Sequence, residues 1–218
     1  MTDSETRPPA PRLYSPMIES AVRLAARGHY HQFRKRNDGS EGAAVPDTPL
    51  PADLVPYITH LMGTMSILAR LGASDEVLAA AALHDYLEDV PDPDGRRRIR
   101  EVTSSEVLEL VLAVTENKRP ELDREETWEI RKREQLADIA TMSIGAVLIK
   151  GADMLHNLLS LEKDLAETDV RTAVWDRFNA PQDLQLWYFS SVLDALRRRL
   201  GDHPLVAELA AAVHRLGG

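Results

Sequence analysis

The sequence predicts an all-α fold, and three observations carry that prediction. Apolar residues recur at three- and four-residue spacing rather than in alternation. Alanine and leucine abound while aromatic residues make up only 5% of the 218 positions, and no stretch reads as a convincing strand. With 44% hydrophobic residues the chain can bury one core, and nothing in it marks a second domain.

Ser15-Pro16 starts the first helix, with serine as N-cap and proline at the first helical position. Ile18, Val22, Ala25 and Ala26 form its apolar stripe, and it is expected to end near Gln32. Residues 36–51 mix Gly, Pro, Asp, Asn and Ser without periodicity, which describes a surface loop. A second helix follows Pro56-Tyr57 and runs to about Leu71, where Gly72 supplies a left-handed end. A third begins at Ser74-Asp75, continues through an alanine-rich run, and stops before Pro91. After the turn from Pro91 to Gly95, Thr103 and Glu106 form a capping box for a helix facing inward through Val107, Leu110, Val111 and Val114. Asp123 and Glu126 repeat that device for a helix lasting to about Met142. Further helices are expected over Ile144 to Leu165, Pro181 to Leu200 and Pro204 to Leu216.

Composition excludes several function classes. The absence of cysteine removes disulfides, thiol catalysis and iron–sulfur ligation, and agrees with a reducing, cytoplasmic compartment. Residues 1–14 hold three prolines and polar side chains without an apolar core, so they read as a disordered tail rather than a signal peptide or anchor; residues 15–218 form the domain. Uninterrupted apolar runs fall far short of the roughly 20 residues a spanning helix needs, so no membrane is expected. A net charge of −9 disfavours a nucleic-acid polymer as partner, but it permits a small anion in a locally basic pocket.

The chemistry concentrates in Leu83-His84-Asp85-Tyr86-Leu87-Glu88-Asp89. Read with His60 upstream and Asp153 downstream, it supplies two imidazoles and two carboxylates for one divalent metal and leaves Glu88 and Asp89 for acid/base work. Donors of this mixed kind suit Mn, Fe, Co, Ni or Zn better than Ca or Mg, and the lack of thiolate argues against a structural zinc. Lys150, Asp153 and Asn157, at i, i+3 and i+7, share one helix face. Gly151 between them costs roughly 1 kcal/mol relative to alanine, which the close approach of another helix or a ligand would justify. Arg34-Lys35 closes the first helix where two cations can reach phosphates, although an ordinary solvated helix end explains them equally. Trp128 and Trp187-Tyr188-Phe189 read as core, with Arg131 and Lys132 as solvated flanks unless a pocket lies beside them. His29 and His31 read as hydrogen-bonded or exposed rather than as ligands.

Taken together, HYHQFRK at His29 to Lys35, PYITH at Pro56 to His60, AALHDYLED at Ala81 to Asp89 and KGADMLHN at Lys150 to Asn157 resemble the HD hydrolase domain of RelA/SpoT homologues, in order and in spacing. WEIRK at Trp128 to Lys132, VWDRFN at Val174 to Asn179 and LWYF at Leu186 to Phe189 make the chain look most like the stand-alone small alarmone hydrolases. The resemblance implies a single HD-domain helical bundle with a catalytic metal, manganese, in its core cleft. It implies an enzyme that removes the 3′-pyrophosphate from (p)ppGpp or (p)ppApp. His60, His84, Asp85 and Asp153 would hold the metal, Glu88 and Asp89 would be the acid/base pair, and Arg34, Lys35, Asn157 and Tyr188 would lie near the nucleotide, with Lys150 beside the charge of the departing pyrophosphate. Two other readings stay open: a general HD nucleotide phosphohydrolase, and an antidote or nucleotide-binding module paired with an alarmone-synthetase toxin. Either is compatible with a homo-oligomer.

Overall fold

A computed structural model of the protein describes residues 13–34, 55–118 and 124–217. Among them the chain forms eleven helices and one two-stranded ladder. Helix α1 (Pro16–Gly28) opens as expected, with the Ser15 hydroxyl accepting from the Ile18 backbone N–H. It ends at Gly28, however, four residues before the expected Gln32. The chain turns there and enters a strand, β1 (Phe33–Arg34), which pairs antiparallel with β2 (Val55–Pro56) in the register Phe33↔Pro56 and Arg34↔Val55. Two residues per strand are too few for an alternating pattern to show in a sequence, so the ladder was not legible there.

Two helices, α3 and α8, form the centre. α3 (Asp75–Leu83) is capped by Ser74 and buries Ala79, Ala80, Ala81, Ala82 and Leu83; the small alanines let α1, α2 (Ile58–Arg70) and α6 (Ser105–Val114) pack close around it. The expected single helix up to Pro91 is broken. α3 stops at Leu83, His84 and Asp85 form a turn, and a four-residue helix α4 (Tyr86–Asp89) follows. In an unbroken helix consecutive side chains diverge by about 100°. His84 and Asp85 occupy that turn with backbones still in the right-handed helical region, His84 Nε2 standing 3.2 Å from Asp85 Oδ2.

α8 (Ile144–Ala166), capped by Ser143, packs on α2 and on α10 (Gln182–Leu200) and α11 (Pro204–Gly217). A Cβ on Gly151 would lie 2.8 Å from Leu205 and 3.3 Å from Leu196, so the neighbouring helices supply the close approach that its position in α8 called for. Among the described residues α8 alone has the length and mean hydropathy to cross a membrane; its buried Ala146, Val147, Ile149, Leu155, Leu158 and Leu161 make it a core helix.

Two helices went unread in the sequence. α5 (Gly95–Val102) buries one large side chain, Ile99, beneath an arginine-rich exposed surface, and α9 (Arg171–Trp175) has five residues. α6 takes Ser104 as its cap rather than Thr103, because the Thr103 hydroxyl donates back to the Ile99 carbonyl at 2.5 Å. α7 (Arg124–Ile139) ends three residues before the expected Met142. The expected tail through residue 12, the loop 36–51, Lys35 and Asp123 lie outside the described residues, as does the side chain of Glu126.

Candidate metal centre

Three parts of the fold bring the expected donors together: His60 from the first turn of α2, His84 and Asp85 from the break after α3, and Asp153 from the middle of α8. The donor atoms of His60, His84 and Asp85 all lie within 4.8 Å of one another. The two Nε2 atoms are 3.2 Å apart. His60 Nε2 lies 3.2 Å from Asp153 Oδ1 and 3.7 Å from Asp85 Oδ2, and His84 Nε2 lies 3.2 Å from Asp85 Oδ2 and 3.7 Å from Asp153 Oδ1. Bonds of about 2.0–2.2 Å to one ion separate neighbouring donors by about 3–3.5 Å, so two imidazoles and two carboxylates at these spacings fit a divalent metal.

Neighbouring groups hold His84, Asp85 and Asp153 in place. His84 Nδ1 donates to the Ala81 carbonyl at 2.8 Å, which leaves Nε2 to face the centre. The Tyr57 hydroxyl donates to Asp85 Oδ2 at 2.7 Å, and the Asn157 amide donates to Asp153 Oδ1 at 2.7 Å. Burial opposes charge on His84, but Asp85 and Asp153 outweigh it and push the imidazole up to about 9. Burial likewise opposes the charge of Asp153, yet hydrogen bonds from His60 and His84 hold its carboxyl well below the usual range. Without an ion, a proton on His84 supplies part of the positive charge that the two carboxylates demand.

The two carboxylates expected to form an acid/base pair have different surroundings. Glu88 lines a cavity of about 450 Å³ that opens from the metal centre, and its Oε1 accepts the Glu116 backbone N–H at 2.7 Å. Burial, followed by repulsion from Asp85, raises its carboxyl to about 7. Asp89 turns away from this cavity to pair with Lys118, while its carbonyl accepts from Gln32 Nε2 at 2.6 Å.

The residues expected near a nucleotide have separate fates. Lys150 lines the cavity from α8 and is almost fully buried; burial opposes its charge, but the nearby carboxylates of Asp153, Glu88 and Asp85 help to hold it. Tyr188 lines the cavity as well, but its hydroxyl donates to Gln135 Oε1 at 2.6 Å, and Lys132 stands 5.1 Å from its ring centroid. Arg34 does not end a helix as expected. It sits in β1 at the cavity wall, where its guanidinium donates to Asn157 Oδ1 at 2.9 Å and contacts His156 Nδ1 at 3.0 Å. Asn157 therefore links Arg34 to Asp153.

Several site residues escaped the sequence reading. Arg131 and Lys132 are not solvated flanks of a core tryptophan: both pair with the Glu116 carboxylate, and Lys132 and Trp128 line the cavity. The aromatic–basic spacing was the visible signal, and only the pocket gave it meaning. Tyr57 and His156 also join the site. His156 is pushed down to about 4 by burial and by neighbouring His60 and Arg34, so it stands neutral. His29 stays outside it, stacked on Tyr57 at 5.0 Å with Nδ1 at 2.6 Å from Gln32, and His31 is exposed, both as expected.

Comparison with known proteins supplies the family. The HD domain family matches residues 49–179, more than half of the chain. The human protein named guanosine-3′,5′-bis(diphosphate) 3′-pyrophosphohydrolase MESH1 is 34% identical over 146 residues, which cover 66% of this chain and 68% of that protein. The bifunctional (p)ppGpp synthase/hydrolase SpoT of Escherichia coli is 30% identical over 155 residues; the match covers 71% of this chain but only 20% of SpoT. Among solved structures, a metazoan SpoT orthologue described as hydrolysing ppGpp aligns over 95% of this chain and 99% of its own, at 28% identity and a TM-score of 0.68. With an all-α bundle, a His/Asp cluster in its core and these relatives, the chain belongs to the HD domain family and is homologous to the ppGpp hydrolases MESH1 and SpoT.

Proposed function

We propose that the protein is a metal-dependent hydrolase that removes the 3′-pyrophosphate from (p)ppGpp-type alarmones, guanine or adenine, giving the 5′-nucleotide and pyrophosphate. One observation carries this reading: in a homologue of MESH1, three of the four proposed metal donors, His60, Asp85 and Asp153, line one cavity together with Glu88, Lys150 and Lys132. Cations deep in a chain of net charge −9 suit an anionic ligand, and a volume of about 450 Å³ accepts a nucleotide-sized part of one.

His60, His84, Asp85 and Asp153 would hold the metal, which we take to be manganese; when bound it supplies Lewis-acid polarisation of a phosphate oxygen and makes a water more acidic. Glu88 is the base that faces the reacting water, since it lines the cavity and Asp89 does not, although Lys118 stands by both carboxylates. The water oxygen bonds to the phosphorus next to the ribose 3′ oxygen, and the P–O3′ bond breaks. Glu88 accepts the water proton and returns it to the 3′ oxygen, so the nucleotide leaves with a free hydroxyl. Lys150 faces the phosphate charge that builds up in the transition state, with Lys132 further along the same wall. Asp89, paired with Lys118, orients the short helix that carries Glu88.

A substrate panel tests the reading. Protein supplied with Mn²⁺ is expected to release pyrophosphate from ppGpp and ppApp and to leave GTP and deoxynucleotides intact. Phosphate release from deoxynucleotides at comparable rates would instead favour a general nucleotide phosphohydrolase. Tight binding of ppGpp without turnover would favour a nucleotide-binding module.

A further inference from the structure

His156 takes no part in the chemistry above, yet its place is built. The ring lies over α2 at Gly63, where a Cβ would stand 2.1 Å from His156 Nε2 and 2.2 Å from Cδ2, so only glycine leaves room for it. Gly63 is three residues from His60 and therefore on the same side of α2. The His156 ring meets that of His60 at a centroid distance of 4.9 Å, and the two Nδ1 atoms are 3.0 Å apart.

Hydrogen-bond chemistry assigns the proton in that contact. Arg34 has donors only, and one guanidinium nitrogen lies 3.0 Å from His156 Nδ1 and 3.3 Å from His60 Nδ1; the shorter contact puts the lone pair on His156. An imidazole that ligates through Nε2 keeps its proton on Nδ1 and needs an acceptor there. Arg34, 3.3 Å from His60 Nδ1, cannot accept; His156 can. The three other donors already have partners of the right kind: the Ala81 carbonyl for His84, the Tyr57 hydroxyl for Asp85 and the Asn157 amide for Asp153.

We propose that His156, seated over Gly63, is a positioning residue that accepts the Nδ1 proton of His60 and so presents His60 Nε2 to the metal. The inference rests on the reading of His60 as a metal ligand. It also gives Arg34 two states: once His60 donates to His156, Arg34 keeps its bond to Asn157 and its other nitrogen is released toward the cavity.

The test is metal affinity, measured by calorimetric titration of metal-stripped protein with Mn²⁺, together with the visible spectrum of the Co²⁺ form. His156→Leu is expected to bind Mn²⁺ about 10–100-fold more weakly and to alter the Co²⁺ spectrum, because His60 loses its acceptor. His156→Gln, whose amide oxygen accepts, is expected to recover much of the affinity, and Gly63→Ala to resemble His156→Leu because the methyl group expels the ring. Circular dichroism and the melting temperature of the metal-free His156 variants identify those that fold. A folded His156→Leu protein with wild-type Mn²⁺ affinity and an unchanged Co²⁺ spectrum overturns this proposal alone. Wild-type protein that binds none of these ions overturns the metal-centre reading, and this proposal with it.

Discussion

Replacing Glu88 with glutamine is expected to abolish turnover while making the metal-free protein more stable at pH 8. The Glu88 carboxyl is raised from its ordinary 4.5 to about 7, first by burial and then by Asp85. A group raised in this way contributes stability that is fully present below pH 4.5 and is lost as the pH rises through 7. At pH 8 the charged side chain therefore costs the fold up to about 3 kcal/mol relative to the unfolded chain, at 1.36 kcal/mol per pH unit. Glutamine keeps an oxygen for the Glu116 N–H and removes both the buried charge and the repulsion from Asp85. Since about 1 kcal/mol moves the melting temperature of a chain this size by about 2–4 °C, the variant should melt several degrees higher than wild type at pH 8 and no higher at pH 4. Thermal melts by circular dichroism with a chelator present, at both pH values, measure the difference. Turnover of the Mn²⁺ form is expected to fall by about 10²–10⁴-fold. A lower melting temperature at pH 8 would refute the burial argument, and near-wild-type turnover would remove Glu88 as the base.

His84→Ala and Asp153→Ala are expected to lose the metal with the fold intact; full metal content by elemental analysis of either folded protein would refute the donor set. Metal affinity should fall as the pH is lowered from 9, because a proton on His84 competes with the ion, and calorimetry across pH 6–9 that showed no such trend would overturn that linkage. Lys132→Ala is expected to raise KM for ppGpp several-fold with a smaller change in kcat, whereas Lys150→Met should lower kcat, since Lys150 lies in the field of Asp153 and Glu88 while Lys132 is paired with Glu116; equal effects on KM alone would place both residues on the bound substrate only. Arg34→Ala should weaken Mn²⁺ binding as well as substrate binding, because its guanidinium also braces Asn157, which donates to Asp153, and unchanged metal affinity would return Arg34 to a purely substrate-facing role.

The helical class and the Ser15, Ser74 and Pro16 starts could be read from the chain because each rests on short-range chemistry. A cap hydroxyl reaches a backbone N–H three residues on, and apolar residues at three- and four-residue spacing make one face. The HD motif likewise keeps two donors adjacent in the chain, and its resemblance to a known family supplied the partners His60 and Asp153, which lie far off in sequence. Local signals failed where long-range contacts decided. α1 stops at Gly28 because the next residues pair with a strand more than twenty positions away. α5, mostly arginine on its exposed side, folds around the single buried Ile99.

By itself, then, the sequence determined the all-α class, the capped starts and the presence of adjacent His84 and Asp85 donors, because propensity and donor type belong to each residue wherever it lies. Only the tertiary structure decided what the remaining polar residues do. It broke the helix at His84–Asp85, turned Glu88 into the cavity and Asp89 toward Lys118, buried Arg131 and Lys132 on Glu116, and placed His156 against His60. The physical reason is that the energy of a buried polar group depends on the partner that satisfies it, and here those partners come from helices distant in the chain.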